Sequence, residues 1–372
     1  MLHKGCAVAI TGANGFIGRN LAVRLHEHGG IPQLISRDTA PDDARAALAS
    51  SGLIFHLAGA NRPEDPAEFM RSNRDYAEWV TACIAQGGRR PLVILSSTAK
   101  AGEDSDYGQS KRAGEEVMLH LAENDQAVVS IYRLPNVFGK WARPNYNSAV
   151  ATFCHNIARG LPIRIDDPDA PIDLLYVDDL VDQWFALVDV PPRSSGYVEL
   201  RDVHRTTVGT LAETLRAFAV GRSQGEIAAV GEGFLRALYA TFVSALPLEA
   251  FGYPLEAHCD PRGSFSEILR TPDCGQVSFF SALPGQTRGG HYHHTKVEKF
   301  VVVHGQARFR FRHVLSGATH ELCASAAQPT VVESIPGWSH DVTNCGDSTM
   351  VALVWASETF DPRRPDTVAM PL

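Results

Sequence analysis

The chain has 372 residues, 34 Lys plus Arg against 42 Asp plus Glu for a net charge of −8, and 44% hydrophobic residues. That composition excludes disorder as the main state, predicts two domains at roughly 150 residues each, and, without clustered cations, excludes nucleic acid as a partner. Seven widely spaced cysteines lack any Cys-x-x-Cys pair and predict reduced thiols in a cytoplasm. The apolar run from Cys6 to Ile10 is too short for a signal-peptide core or a membrane span.

Ala7 to Ile10, Leu53 to Leu57, Leu92 to Leu95 and Val128 to Tyr132 read as buried strands. Amphipathic stretches such as Asn20 to His28 and Ala113 to Ala122 separate them, the pattern of a parallel sheet covered by helices on both faces. Helices are predicted at Thr207 to Val220 and Gly231 to Leu246. After the linker Leu246 to Pro254 the texture changes to short strands between Gly and Pro: Gln276 to Phe280, Lys299 to Val303, Ala307 to Phe311, Val331 to Ser334 and Met350 to Trp355. The predicted architecture is a Rossmann-type doubly wound α/β domain over residues 1–246 and an all-β jelly roll over 255–372.

Thr11-Gly12-Ala13-Asn14-Gly15-Phe16-Ile17-Gly18 follows the first strand and opens a helix. Glycines at these positions let backbone amides approach a pyrophosphate. Where an NAD-specific site carries an acid for the ribose 2′-hydroxyl stand Ser36 and Arg37. A cation beside a small hydroxyl suits a 2′-phosphate, so NADPH is favoured, although Asp38 next door also fits a solvated surface. Tyr107 and Lys111 lie four apart on one helical face, where an ammonium lowers a phenol's pKa and makes it an acid near neutrality.

With His56-Leu57-Ala58-Gly59, Asn73 and Arg133-Leu134-Pro135-Asn136-Val137-Phe138-Gly139, these residues resemble the extended short-chain dehydrogenase/reductase family. The resemblance implies Tyr107 as catalytic acid, Lys111 as its electrostatic and ribose partner, and Thr98 as the hydroxyl orienting the substrate carbonyl, with Ser97 the alternative. It extends the cofactor site to Asn14, Phe16, Ile17, Ala58 and Gly59. Asn61, Arg62, Asn136 and Asn147 are the candidate substrate contacts. Ile172 stands where many members carry Arg, which puts that contact in doubt.

Gly285, His291, His293, Glu298 and Gly305 fill the first cupin motif, and Gly337, His340 and Asn344 supply the second. Three imidazoles and a carboxylate suit a divalent metal, with zinc favoured and its identity open. His294, Lys296, Lys299 and Asp341 surround them as candidate acids or bases. Arg308, Arg310 and Arg312 alternate with Phe309 and Phe311, forming either a pyrophosphate-binding face or the wet face of a sheet.

The runs Tyr132 to Trp141, Pro144 to Ser148, Ala151 to Cys154, Asp260 to Phe265, Gly290 to Lys296 and Phe360 to Pro362 resemble the bifunctional capsule-polysaccharide enzymes of UDP-N-acetyl-L-fucosamine biosynthesis. That resemblance implies C3 epimerisation of a UDP-linked 4-keto amino sugar in the cupin and NADPH-dependent C4 reduction in the reductase. A homodimer closed by cupin strands is expected. The rival readings are a monofunctional reductase whose cupin only dimerises and holds a structural metal, and a NADP-sensing scaffold.

Overall fold

The computed structural model describes residues 7–250, 255–293, 296–314, 316–363 and 365–372. Contacts divide it into two compact units, Met1–Leu215 with Ala237–Leu246, and Arg216–Arg236 with Pro247–Leu372. Of the predicted linker, Leu248–Ala250 forms a 3₁₀ turn, and 251–254 lie outside the described residues.

The chain first runs β1 (Val8–Thr11), α1 (Phe16–Glu27), β2 (Gln33–Ile35), α2 (Pro41–Ser50), β3 (Leu53–His56), α3 (Ala67–Met70), α4 (Tyr76–Gln86), β4 (Leu92–Thr98), α5 (Asp106–Glu123), β5 (Val128–Leu134), β6 (Asn136–Phe138), α6 (Ala149–Ile157), β7 (Pro171–Tyr176), α7 (Val177–Asp189), β8 (Gly196–Tyr197), β9 (His204–Thr207), α8 (Val208–Gln224) and α9 (Gly233–Ser244), all in the first unit except α8 from Arg216 onward and α9 up to Arg236, which belong to the second. A π turn, Arg71–Asp75, joins α3 to α4. The main sheet is parallel in the order β2-β1-β3-β4-β5-β8.

Alternation along the strands feeds two cores. Ala9, Ile54, Val93 and Val129 pack on one side with Val80, Ile84 and Met118. Ile10, Phe55, Ile94 and Tyr132 pack on the other with Leu21, Leu25 and Trp184. Each such fully buried aliphatic chain contributes about 1.5–3 kcal/mol. The helical spacing of the α1 apolar residues and the absence of an inward charge are what place that helix against the sheet. Because β1 is flanked by β2 and β3, the crevice at the strand C-termini opens between Thr11 and His56, where doubly wound sheets bind ligands.

The second unit is antiparallel: β10 (His258–Asp260), β11 (Gly263–Thr271), β12 (Gly275–Ala282), β13 (Thr287–Tyr292), β14 (Glu298–His304), β15 (Gln306–His313), β16 (Thr319–Ser325), β17 (Val331–Glu333), β18 (Trp338–Asn344), β19 (Met350–Ala356) and β20 (Val368–Ala369). One sheet is ordered β10-β11-β12-β19-β14-β17, the other β16-β15-β18-β13-β20. Phe280, Phe300, Phe309 and Phe311 fill the space between them with Val302, Val342 and Met350, the doubly wound unit and jelly roll expected of this sequence. Among the described residues, no helix is long and apolar enough to cross a membrane.

Candidate functional site

Two constellations stand out, one in each unit. In the first, Gly12 takes φ +69°, and a Cβ there would lie 2.7 Å from Ala58 N, so only glycine lets the loops after β1 and β3 meet. Gly18 is equally constrained: its Cβ would fall 2.5 Å from Gly12 O. The α1 N-cap, Gly15, offers no side-chain acceptor, so the first-turn amides at Phe16 and Ile17, just after Asn14, have no capping side chain, as an anion site at a helix N-terminus requires. These residues fit a dinucleotide pyrophosphate. Ala13 N bonds Ile35 O at 3.2 Å, bringing Ser36 and exposed Arg37 beside the glycine loop.

Thr11 was not singled out by sequence, yet its hydroxyl organises this crevice. It accepts from Leu57 N (3.2 Å) and Ala58 N (3.3 Å) and meets His56 Nδ1 at 2.7 Å. Burial, reinforced by the Lys111 cation, pushes His56 down to about 3, so its imidazole is neutral and can accept. Asn73, in the π turn, donates to Ala60 O and Ser110 Oγ, both at 3.0 Å, tying the loop containing Ala58 and Gly59 to α5.

α5 is capped by Ser105, whose hydroxyl accepts from Gly108 N, and it delivers Tyr107 and Lys111 one turn apart. Burial raises the Tyr107 phenol, opposed by a hydrogen bond with Thr98. The expected depression of the phenol is therefore not what the structure shows, because desolvation outweighs the favourable contact; the group stays protonated, as a proton donor must. Lys111 donates to Ser96 O at 2.8 Å, and burial lowers it to about 8 against the opposing charge of Glu115.

The structure separates Ser97 from Thr98. Ser97 donates to Glu115, a fully buried carboxylate that also accepts from Arg133 Nη2 (2.6 Å) and Tyr197 OH (3.0 Å). Ser97 is thus engaged in a packed network while Thr98 faces Tyr107. Of the substrate candidates, exposed Arg62 donates to Tyr146 O at 2.7 Å, which places it beside the stretch carrying Asn147. Asn61 and Asn147 are exposed. Asn136 turns toward β7, donating to Asp173 O at 3.3 Å.

In the second unit, strand register sets His291 directly opposite His340. His293 follows the end of β13 and Glu298 opens β14. Ligand atoms of the four residues lie within 4.8 Å of one another. Glu298 Oε2 is 3.1 Å from His293 Nε2 and 3.3 Å from His340 Nε2. Asp366 O receives His293 Nδ1–H at 2.6 Å, since a carbonyl can only accept. Nε2 then donates to the carboxylate when the ring is protonated, and when it is neutral its lone pair faces the carboxylate, an arrangement that a cation between them satisfies. The donor set therefore fits a divalent metal. Burial pushes Glu298 up, but His293 and His340 outweigh it and hold the carboxyl well below its usual range. His291 is pushed down to about 4 by burial and by neighbouring His340.

His291, His293 and Glu298 open into a cavity of about 950 Å³, lined also by Lys296, whose Nζ donates to Thr367 Oγ1 (3.0 Å) and Pro365 O (3.1 Å). Lys299 is not brought there: it is exposed and pairs with Glu333. His294 lies outside the described residues. Asp341 is held by Arg310 through Nε–Oδ1 (3.0 Å) and Nη2–Oδ2 contacts (2.5 Å). Arg312 donates to Pro371 O, so both arginines secure the fold.

Residues 8–195 match the NAD dependent epimerase/dehydratase family, and 258–368 match the polysaccharide biosynthesis C-terminal domain. The chain is 47% identical over 97% of its length to UDP-2-acetamido-2,6-beta-L-arabino-hexul-4-ose reductase of Pseudomonas aeruginosa, covering 98% of that protein. It is also similar to the crystal structure of the capsular polysaccharide assembling protein CapF from Staphylococcus aureus, with 39% identity and TM-score 0.90 over 98% of this chain and 100% of that one. A second CapF structure, with the inhibitor 3-isopropenyl-tropolone, matches at 35% identity and TM-score 0.85, covering 98% of this chain and 100% of that one.

Proposed function

This chain belongs to the NAD dependent epimerase/dehydratase family, joined here to a polysaccharide biosynthesis C-terminal domain, and we propose that it is a bifunctional nucleotide-sugar enzyme. Its substrate in this reading is a UDP-2-acetamido-2,6-dideoxy-hexos-4-ulose, inverted at C3 in the cupin (255–372) and reduced at C4 in the N-terminal domain (1–246) to the L-talose isomer. The full-length relative named as a reductase of such a 4-ulose supports the substrate class. The observation that carries the two-step reading is that one chain holds both the Thr98–Tyr107–Lys111 group and a metal-ligand cluster opening into a cavity.

A C4 ketone acidifies the C3 hydrogen, so removing that proton gives an enolate that can be reprotonated on the opposite face. Lys296, which lines the cavity, is the residue we assign to carrying the C3 proton. When bound, a divalent metal, zinc by ligand type, supplies charge that stabilises the developing oxyanion; His291, His293, Glu298 and His340 would hold it. In the N-terminal domain Thr98 orients the C4 carbonyl by hydrogen bonding and Tyr107 gives its proton to O4. Lys111 holds positive charge behind the phenol as it ionises. When bound, NADPH supplies the hydride that adds to C4; Arg37 would receive its 2′-phosphate.

Product identification by NMR after incubation with the UDP-4-ketosugar and NADPH tests the proposal. The C3-inverted 4-alcohol is expected. A 4-alcohol with unchanged C3 would leave only the reductase half standing.

A further inference from the structure

The cavity beside the metal-ligand cluster is larger and more polar than proton transfer at one sugar carbon requires. Its volume of about 950 Å³ lies near the top of the roughly 300–1,000 Å³ range of small-molecule sites. Away from the histidines its wall is built from β11 and β12. Register sets Arg270 opposite Gln276 and Glu267 opposite Ser278, with a bulge between Glu267 and Leu269; such bulges re-aim side chains next to sites. Gln276 and Ser278 are two apart and share a strand face.

Arg270, Gln276 and Ser278 each present a donor. Ser278 is 1% exposed, and its hydroxyl has no partner among the described residues although it lines the cavity. Gln276 Oε1 accepts from Phe360 N at 3.0 Å, which leaves its NH₂ as the remaining group. Arg270 is held through Nε by Glu226 (3.0 Å) and through Nη1 by Glu267 (3.4 Å), leaving the Nη2 donors. A guanidinium, an amide NH₂ and a hydroxyl in one patch match the oxygens of a phosphate.

Part of the lining comes from a stretch of sequence outside the predicted cupin. Ser223 and Gly225 line the cavity, in a segment that belongs to the second compact unit. Gly225 O accepts from Arg270 N at 2.8 Å and Ile227 N donates to Arg270 O at 2.9 Å, a parallel bridge that clamps this segment to β11. The Glu226 contact then fixes the guanidinium. An uncompensated buried hydroxyl is costly, so its survival in the wall of this cavity, on the same strand face as Gln276, points to a ligand rather than to packing.

From this placement we infer that Arg270, Gln276 and Ser278 form a subsite for the diphosphate of a nucleoside-diphosphate sugar, holding it while the sugar ring faces the metal-ligand cluster. The inference rests on the proposed function for its substrate and adds a second nucleotide site to the chain, separate from the one the reductase needs. Residues 223–226 are then part of the epimerase site.

Calorimetric titration of the full-length protein with UDP, with uridine as the phosphate-free control, tests it. Two UDP sites per chain are expected. Ser278→Ala weakens one of them about tenfold without lowering the thermal midpoint of the unliganded protein, because the deleted hydroxyl has no partner to lose. Arg270→Gln abolishes the same site. One UDP site in the wild type, or two sites unaffected by both substitutions, overturns the inference, as does equal binding of uridine. Two sites of which one is lost, in a protein that moves no proton at C3, would retain the subsite and reject the epimerase reading. Proton exchange at C3 with a single UDP site would do the reverse.

Discussion

Lys111 is a cation held where burial opposes its charge. Its pKa falls from the ordinary 10.5 to about 8 even with Glu115 opposing the shift. At 1.36 kcal/mol per pKa unit, keeping it protonated costs the folded state up to about 3 kcal/mol at neutral pH. Between about pH 8 and 10.5 the unfolded chain binds the proton and the folded one does not, so the stability contribution rises with pH across that window and is lowest below it. Lys111→Met removes the charge and keeps most of the stem, while Ser96 O loses its donor at a cost of about 1 kcal/mol. The variant is expected to be more stable by up to about 2 kcal/mol at pH 7 and less stable by about 1 kcal/mol above pH 10.5. Reduction of the ketosugar should fall at least about a hundredfold. Urea titrations of both cofactor-free proteins at the two pH values, read through hydrogen exchange of the β4 and β5 amides, measure the difference. A variant destabilised at pH 7, or a difference independent of pH, would mean that burial does not oppose the Lys111 charge.

The two neighbouring hydroxyls should separate: Ser97→Ala lowers the thermal stability by about 1–3 kcal/mol through the Glu115 network while Thr98→Ala lowers reductase kcat about a hundredfold or more, as calorimetry and steady-state kinetics would show. Arg37→Ser should reduce the NADPH-over-NADH ratio of kcat/KM at least about tenfold; an unchanged ratio would remove Arg37 from the cofactor site. Glu298→Gln should weaken divalent-metal binding by more than the roughly 10–100-fold caused by loss of an outer contact, measured by metal content after dialysis, and chelation of the wild type should abolish C3 exchange.

The parts of the fold legible in the sequence are those where one physical signal dominates. Leu53–His56 is buried throughout, so its apolar run announces a central strand. Gln33–Ile35 buries only Ile35 and carries too little pattern to be seen. In the jelly roll, Thr287–Tyr292 contains two glycines and Trp338–Asn344 turns His340 and Asn344 inward; polar inward positions defeat a hydrophobic period, and only motif spacing exposed them. The glycine loop and the four metal-type ligands were legible because their chemistry fixes residue type. Thr11 and Glu115 were not, since a buried threonine and a helical glutamate have no distinguishing spacing and their roles come from long-range partners. Arg216–Arg236 belongs to the second unit although α8 runs into it from residues of the first, because contacts such as those of Gly225 and Ile227 with Arg270 on β11, not local pattern, decide its place.

In the proposed reaction C3 inversion and C4 reduction belong to one chain, and the first needs no hydride. NMR of the UDP-4-ketosugar incubated with the enzyme in heavy water without NADPH tests it most directly. Deuterium should appear at C3 while the C4 ketone persists. A substrate that keeps its C3 proton, with metal bound, would mean that the cupin does not epimerise C3.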